Sequence, residues 1–381
     1  MVQNRRHDID WLRICGILLL FPFHTARVFD HWDPFYVKNE TLSWGASWFI
    51  TIANLWFMPL LFWLAGSASW YALRVKSTTV YIKERFTRLF IPLLMGILLI
   101  VPPQGYYAIW DHTGKSPGSY IAFLKIFFTD FTDLSGYYGT FTPAHLWFIL
   151  YLFVLSITAL PIFHFFKNHP KTDSFNSFLS KPLLFILLFI VLTLSHLLPA
   201  PGGQNPFYFF VLFVTGFISC SDPRYQDMFN RVRFKLLGCM LIFVPVWILL
   251  AWRYPHVDNI SSIAILLTVL RTFNVWVGLI VILGYGHKFL NFQHKWLPYL
   301  NEAAFPVYII HQTVLVILGY YVIRLDLSIH YKYLLIMFAT LTISLVIYDL
   351  IIKRTIITQF LFGVKAKKTN LDRVHSKNKS F

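Results

Sequence analysis

The stretch Asp8-Ile9-Asp10-Trp11-Leu12-Arg13-Ile14-Cys15-Gly16-Ile17-Leu18-Leu19-Leu20-Phe21-Pro22-Phe23-His24-Thr25-Ala26-Arg27 decides how the chain is read. A helix crosses a bilayer core with about 20 mostly apolar residues, and this run supplies them. Yet Asp10, Arg13, His24 and Arg27 stand inside it. Arg5 and Arg6 precede it as in a signal peptide, but His24 and Arg27 occupy the region where small residues would mark a cleavage site, so it reads as an uncleaved first span.

Nine further apolar runs follow, bounded by charge, Pro, Gly or Asn. With the first they cover 10–29, 46–71, 86–108, 145–166, 182–199, 206–220, 234–252, 261–287, 303–322 and 332–352. Composition agrees: 57% of the 381 residues are hydrophobic and only 13% charged, against the roughly 25% charge of a soluble domain. The 39 Phe, 20 Tyr and 13 Trp exceed what one packed core needs. Disordered, collagen-like and small disulfide-scaffold classes are excluded. The net charge of +16 does not signal a nucleic-acid binder, because the basic residues flank apolar runs and do not cluster. Cys15, Cys220 and Cys239 lie in or beside apolar runs without CxxC spacing, so neither a disulfide nor a metal site is expected.

The fold class is therefore all-α, a polytopic membrane helix bundle of about ten transmembrane helices. With Arg88, Lys235 and Lys332 counted in the loops they adjoin, the N-terminus and the loops after even-numbered spans hold 24 Lys+Arg, and the alternate loops hold 6. The positive-inside rule then puts both termini in the cytoplasm. Residues 1–352 form one integral membrane domain, and 353–381 read as a basic cytoplasmic tail, disordered and facing anionic lipid. The long stretch 109–144, with Trp110, Tyr120, Phe123, Phe127 and Phe141, is expected along the outer surface.

Ionisable side chains within spans are costly and each is a site candidate. Arg13 and His24 are separated by 11 positions, about 16 Å along a helix and within roughly 20° of one face. Arg13 alone could be a snorkelling anchor, and His24 alone an interhelical hydrogen-bonding group. Together they put a cation near the cytoplasm and an imidazole deeper on the same face. Asp10, three residues before Arg13, is placed to hold the guanidinium. Arg85 and Arg88 sit one turn apart at the cytoplasmic start of the third span, a fork suited to phosphate, though anchoring also puts basic residues there. His311 lies about ten residues into the ninth span, near the depth of His24. Arg271 is buried in the eighth span and needs a partner or a water-filled cavity.

Four motifs resemble the acyltransferase-3 family of integral membrane acyltransferases, which includes O-antigen acetylases and the glucan-succinylating protein. They are Asp10-Trp11-Leu12-Arg13 with His24, Arg85-Phe86-Thr87-Arg88-Leu89 with Pro92, His145-Leu146-Trp147-Phe148, and Tyr308-Ile309-Ile310-His311. Asn301-Glu302-Ala303-Ala304-Phe305 departs from the Ser-Tyr start common at the ninth span. The resemblance implies a cell-envelope transferase of the bacterial inner membrane that moves an acyl group, acetyl or succinyl, from cytoplasmic acyl-CoA to a glycan or other extracytoplasmic or membrane-linked acceptor. No bound cofactor and no metal are implied. By position, His24, Arg13 and His311 would be catalytic, and Arg85, Arg88, Asp10, His145, Trp147, Tyr308 and Arg271 would bind substrate.

A histidine suits this role because its ordinary pKa near 6.5 lets it accept a hydroxyl proton at neutral pH. Alternatively it attacks the thioester and carries the acyl group itself. The other reading is a secondary transporter or glycan exporter, in which buried Arg and His residues form a substrate or proton path. Against that stands the lack of an inverted repeat. Reporter fusions test the topology: Lys171 and a site after Ile352 should read cytoplasmic and Gly118 external, and an external reading after Ile352 would overturn the even span count.

Overall fold

The computed structural model describes residues 6–32, 34–168, 172–255 and 261–365. Among these the regular structure is entirely helical. The helices are α1 (His7–Arg27), α2 (Trp44–Val75), α3 (Thr78–Thr113), α4 (Tyr120–Thr129), α5 (Ala144–Thr158), α6 (Leu160–Lys167), α7 (Thr172–Leu179), α8 (Pro182–Leu197), α9 (Pro206–Ser219), α10 (Pro223–Arg253), α11 (Ser262–Leu290), α12 (Leu297–Val322), α13 (Ile329–Ile352) and α14 (Ile356–Leu361). Each apolar run expected to span falls mainly on one helix, except 145–166, which is divided between α5 and α6. Seven described helices are long and apolar enough to cross a membrane, or nine when the bent pairs α5/α6 (48°) and α7/α8 (92°) each count as one span. The remaining segment, α9, has 14 residues. That is about 21 Å, short of a bilayer core of about 30 Å.

Helix starts follow the local sequence. Ser43, Ser77, Asn205, Asp222 and Ser261 each accept a backbone N–H of the following first turn, and Pro206 and Pro223 stand where a missing N–H costs nothing. The Pro102-Pro103 pair does not end α3, which continues to Thr113. Its backbone instead passes through π-type turns at Phe86–Phe90 and Gly96–Ile100. Val101 N bonds Gly96 O at 2.9 Å, and Gln104 N turns to Val101 O at 2.9 Å. The Ile100 carbonyl is thereby released from the helix ladder, and α12 uses it.

The bundle packs around α12, the most enclosed of the long helices, with α1 against it. Close approach between α2 and α9 depends on two glycines. A Cβ at Gly66 would lie 1.9 Å from the Phe213 carbonyl oxygen, and one at Gly216 would lie 2.0 Å from that of Trp63. Ser67 Oγ donates to the Gly216 carbonyl at 3.1 Å, and Trp63 Nε1 donates to Ser219 Oγ at 3.1 Å. This is the small-residue packing plus polar bonding that joins helices in lipid, where burial of apolar surface contributes little.

Two connecting regions carry structure of their own. The tail is not disordered from residue 353: Thr355 caps α14 by accepting from Thr358 N at 3.1 Å. Gly363 follows with φ of 68°, where a Cβ would come within 2.9 Å of Arg88 O and Phe305. The tail thus packs against α3 and α12, and residues 366–381 lie outside the described residues. In 109–144, α4 lays Phe123 and Phe127 over Gly105 of α3, both rings buried.

Replacing Gly66 or Gly216 by Ala should lower the unfolding temperature in detergent, since overpacking a close crossing costs about 1–3 kcal/mol. Gly238→Ala, with open space around the new Cβ, should be neutral or stabilise by up to about 1 kcal/mol. Equal thermal stability for all three variants would contradict the backbone-contact account.

Candidate active site

His24 of α1 and His311 of α12 form a direct pair, with Nδ1 of His24 2.8 Å from Nε2 of His311 and the rings nearly parallel at 5.1 Å. His311 is fully buried. Its Nδ1 lies 2.6 Å from the Tyr308 carbonyl oxygen, one turn back on the same helix. A carbonyl only accepts, so Nδ1 of His311 carries the hydrogen, and in the neutral ring Nε2 keeps its lone pair. His24 must then donate from Nδ1, which leaves the lone pair of His24 on Nε2. The hydrogen-bond chain is directional, running from a backbone carbonyl to Nε2 of His24, which is left free to act as base or nucleophile.

His145 adjoins this pair, its ring 5.0 Å from that of His311 in an edge arrangement. Its Nε2 donates to the Ile309 carbonyl at 2.9 Å, so its lone pair is on Nδ1, which is buried with no hydrogen-bond partner. The Tyr308 hydroxyl donates to the backbone carbonyl of His145. Tyr308 thus ties α12 to the start of α5 and gives its only hydroxyl proton to that strut. Immediately before His145, Ala144 has φ of 47°, the one non-glycine positive φ among the described residues. Such strain costs about 1–3 kcal/mol and persists where the surroundings dictate it. Here Thr142 Oγ1 holds Ala144 N at 2.9 Å. Trp147, read as a substrate contact, stacks among Phe62, Tyr151 and Phe209.

A polar relay behind the histidines went unseen in the sequence. Gln312 Nε2 donates to Gln104 Oε1 at 2.9 Å, Gln104 Nε2 donates to Thr313 Oγ1 at 2.8 Å, and Thr313 Oγ1 donates to the Ile100 carbonyl at 2.5 Å. All three side chains are buried. The carbonyl that Pro102-Pro103 and the π turn release from α3 is thus satisfied by α12, fixing the turn that carries His311.

Toward the end of the bundle holding the chain's start, Arg13 donates to Asn301 at 2.6 Å and to Asp10 at 3.1 Å. The expected Asp10–Arg13 neighbour contact is present. Arg85 donates to Ser69 at 3.2 Å and lies 4.5 Å from the Tyr81 ring. Arg88 sits in the first π turn of α3, and its carbonyl faces Gly363. Arg13 and Arg88 both adjoin the first half of α12, through Asn301 and through the Gly363–Phe305 contact. Arg271 is not with them: it lies in electrostatic range of His196 and Tyr208, away from the histidine pair. Glu302, beside the start of the ninth apolar run, accepts from the Tyr348 hydroxyl at 2.9 Å.

At the opposite end the connection from α1 to α2 folds over the pair. Val28 O accepts from Asn39 N at 2.9 Å and Phe29 O from Ser43 N at 2.7 Å. Fully buried Asp30 bonds Arg27 at 2.6 Å and also pairs with Lys38. From this loop Phe35 stacks toward His24 at 6.5 Å.

Comparison with known proteins gives the class. The acyltransferase-3 family model, described as an acyltransferase domain, matches residues 6–349. With its apolar helices, this is a multi-pass integral membrane acyltransferase, and the chain belongs to the acyltransferase-3 family. It is 24% identical over 388 residues to the Glucans biosynthesis protein C of Salmonella paratyphi B and that of Salmonella dublin, with 95% of each chain covered. The protein of the same name from Salmonella paratyphi A matches to the same extent. No solved structure matches.

Gln104→Leu should strand the Gln312 amide and cost roughly 1–2 kcal/mol of stability in detergent, as for a buried donor left without its acceptor. A variant as stable as wild type would show the relay to be dispensable.

Proposed function

We propose that this acyltransferase takes its acyl group, acetyl or succinyl, from cytoplasmic acyl-CoA and delivers it to a hydroxyl of a glycan beyond or within a bacterial inner membrane. The observation that carries the reading is the direction of the Tyr308–His311–His24 hydrogen-bond chain, which leaves Nε2 of His24 as an aimed lone pair. The relatives' name, which concerns glucan biosynthesis, supports a glycan acceptor.

Arg13, Arg85 and Arg88 stand toward the basic end of the bundle, where the CoA phosphates would sit. An extended pantetheine arm covers the roughly 16 Å from Arg13 to His24 along α1. At the far end, His24 Nε2 acts on the acyl group or on the acceptor. In direct transfer it takes the hydroxyl proton as oxygen attacks the thioester carbonyl and the CoA sulfur departs. His311 holds the resulting imidazolium through His24 Nδ1–H. In the two-step route Nε2 attacks the thioester, CoA leaves, and the Nδ1 proton passes to His311 so that a neutral acyl-imidazole waits for the acceptor. The single pair serves both. Arg13, held by Asp10 and Asn301, is preorganised for a phosphate, whereas Arg88 is the arginine whose removal disturbs the fewest recorded contacts.

His24→Ala should insert normally and lose 100- to 10,000-fold in transfer by the purified protein. His311→Ala, which removes the acceptor for His24 Nδ1–H, should lose about 10- to 100-fold in turnover with CoA affinity retained. Near-normal turnover in both variants would remove the histidine mechanism and favour transport. Label transferred to His24 from radiolabelled acyl-CoA without acceptor would select the two-step route, and its absence direct transfer.

Arg88→Ala should weaken acyl-CoA binding about tenfold or more, for a charge-assisted contact of roughly 1.5–3 kcal/mol. Unchanged affinity in a properly inserted variant would return Arg88 to membrane anchoring.

A further inference from the structure

Arg271, His196 and Tyr208 form a second polar centre, walled off from the histidine pair. Aromatic rings fill the space between the two: Tyr208 meets Phe209 at 5.2 Å, Phe209 stacks on Phe62 at 4.4 Å, Phe62 meets Phe148 at 4.8 Å, and Phe148 meets Tyr308 at 5.8 Å.

The centre is built from three elements. Arg271 lies nine positions into α11, about 14 Å along the helix from its start, where a guanidinium is costly without a counter-charge. The recorded ion pairs join Arg6, Arg13, Arg27, Arg224 and Arg324 to carboxylates and leave Arg271 outside them. The His196 ring, at the end of α8, lies 4.9 Å from that of Tyr208 at the start of α9. Nε2 of His196 and the hydroxyl of Tyr208 are both buried without a hydrogen-bond partner, and Tyr208 is only 5% exposed.

The unmet bonds are not the result of a loose loop. Asn205 Nδ2 donates to Ser195 O at 2.8 Å, Asn205 Oδ1 caps α9 at Tyr208 N at 3.0 Å, and Tyr151 donates to Gln204 O at 2.9 Å. The connection is tied down while two neutral polar groups stay unsatisfied and the half-buried Arg271 beside them forms no ion pair among the described residues. Leaving buried donors unpaired costs free energy, and an anionic oxygen would satisfy the hydroxyl and the guanidinium together. The surroundings say how such an anion arrives: Leu194, Leu197, Leu198 and Phe207 flank the centre and are all exposed. Exposed apolar side chains on a membrane helix bundle suit contact with acyl chains.

We infer that Arg271, Tyr208 and His196 form a binding site for a phosphate group, accepting a hydrogen bond from Tyr208 and pairing with Arg271, with the flanking apolar residues suited to a phosphate carried on a lipid. The inference is independent of the transfer mechanism above, because no residue of this centre touches His24 or His311.

The test uses purified full-length protein with two probes, dioleoylphosphatidylglycerol followed by native mass spectrometry and inorganic phosphate followed by calorimetry. Wild type should retain the lipid, Arg271→Gln should weaken retention about tenfold or more, and Tyr208→Phe, which keeps the ring and removes only the hydroxyl, should weaken it several-fold. Lipid binding without phosphate binding identifies a headgroup as the ligand. Phosphate that binds wild type and displaces the lipid identifies free phosphate. Either supports the site when Tyr208→Phe weakens binding while its unfolding temperature is unchanged. Equal binding of both probes by wild type and both variants, or no binding by wild type, overturns it.

Discussion

The Tyr308 carbonyl fixes the chemistry of a site whose other members are imidazoles. A histidine in a membrane interior can carry its hydrogen on either ring nitrogen, and two in contact could exchange roles. Because His311 Nδ1 faces a main-chain oxygen at 2.6 Å, that freedom is removed, and the fixed tautomer passes to His24. The carbonyl is itself part of α12, so the orientation of a helix sets the protonation of a side chain on another helix. Everything that holds α12 against α3 and α5 therefore serves the same end: the amide relay through Gln104, the Tyr308–His145 strut and the strained Ala144.

The irregularities of the backbone follow from this requirement. A straight α3 would keep its carbonyls within its own ladder, and buried Thr313 would then lack an acceptor. Two consecutive prolines without N–H groups force the ladder to shift, and the π turn that absorbs the shift presents Ile100 O to Thr313. Gly96 stands in the same turn, where a Cβ would come 2.4 Å from the Leu146 side chain. The absence of a side chain lets the segment carrying His145 close onto α3. Sequence features that would weaken an isolated helix thus create contacts between helices.

Much of this was legible in the sequence because lipid imposes strong, local rules. The apolar runs, their polar interruptions and the shared face of Arg13 and His24 need only helix geometry, and the Asp10–Arg13 contact follows from a spacing of three. Partners brought together by folding were illegible: His24 and His311 are 287 positions apart, and Gln104 and Gln312 are separated by 208. Glutamines in apolar runs carry no charge to flag them, although two of them, with Pro102-Pro103 nearby, were a signal that could have been weighed. Arg271 shows the converse limit. A charge inside an apolar run flagged the position, but the structure leaves it half-buried, with α2 and α9 lying between it and the histidines. The length of α9 was equally a tertiary matter, since a helix of 14 residues is tolerated only where Gly66 and Gly216 let it pack directly on α2.

Packed segments lie over the histidine pair at both ends of the bundle. At one end Phe35 and the Arg27–Asp30–Lys38 cluster close over His24, and at the other the turn at Gly363 packs against Arg88 and Phe305. Asp30 is fully buried, and its two cationic partners compensate a charge that would otherwise be expensive to hold away from water. A charged latch of this kind fixes the loop more sharply than apolar packing, because shifting it would leave one partner uncompensated. The packed surroundings strengthen the hydrogen bond that orients His24, since the same contact in bulk water would compete with solvent. The cover over the pair and the strength of its orienting hydrogen bond are consequences of the same packing.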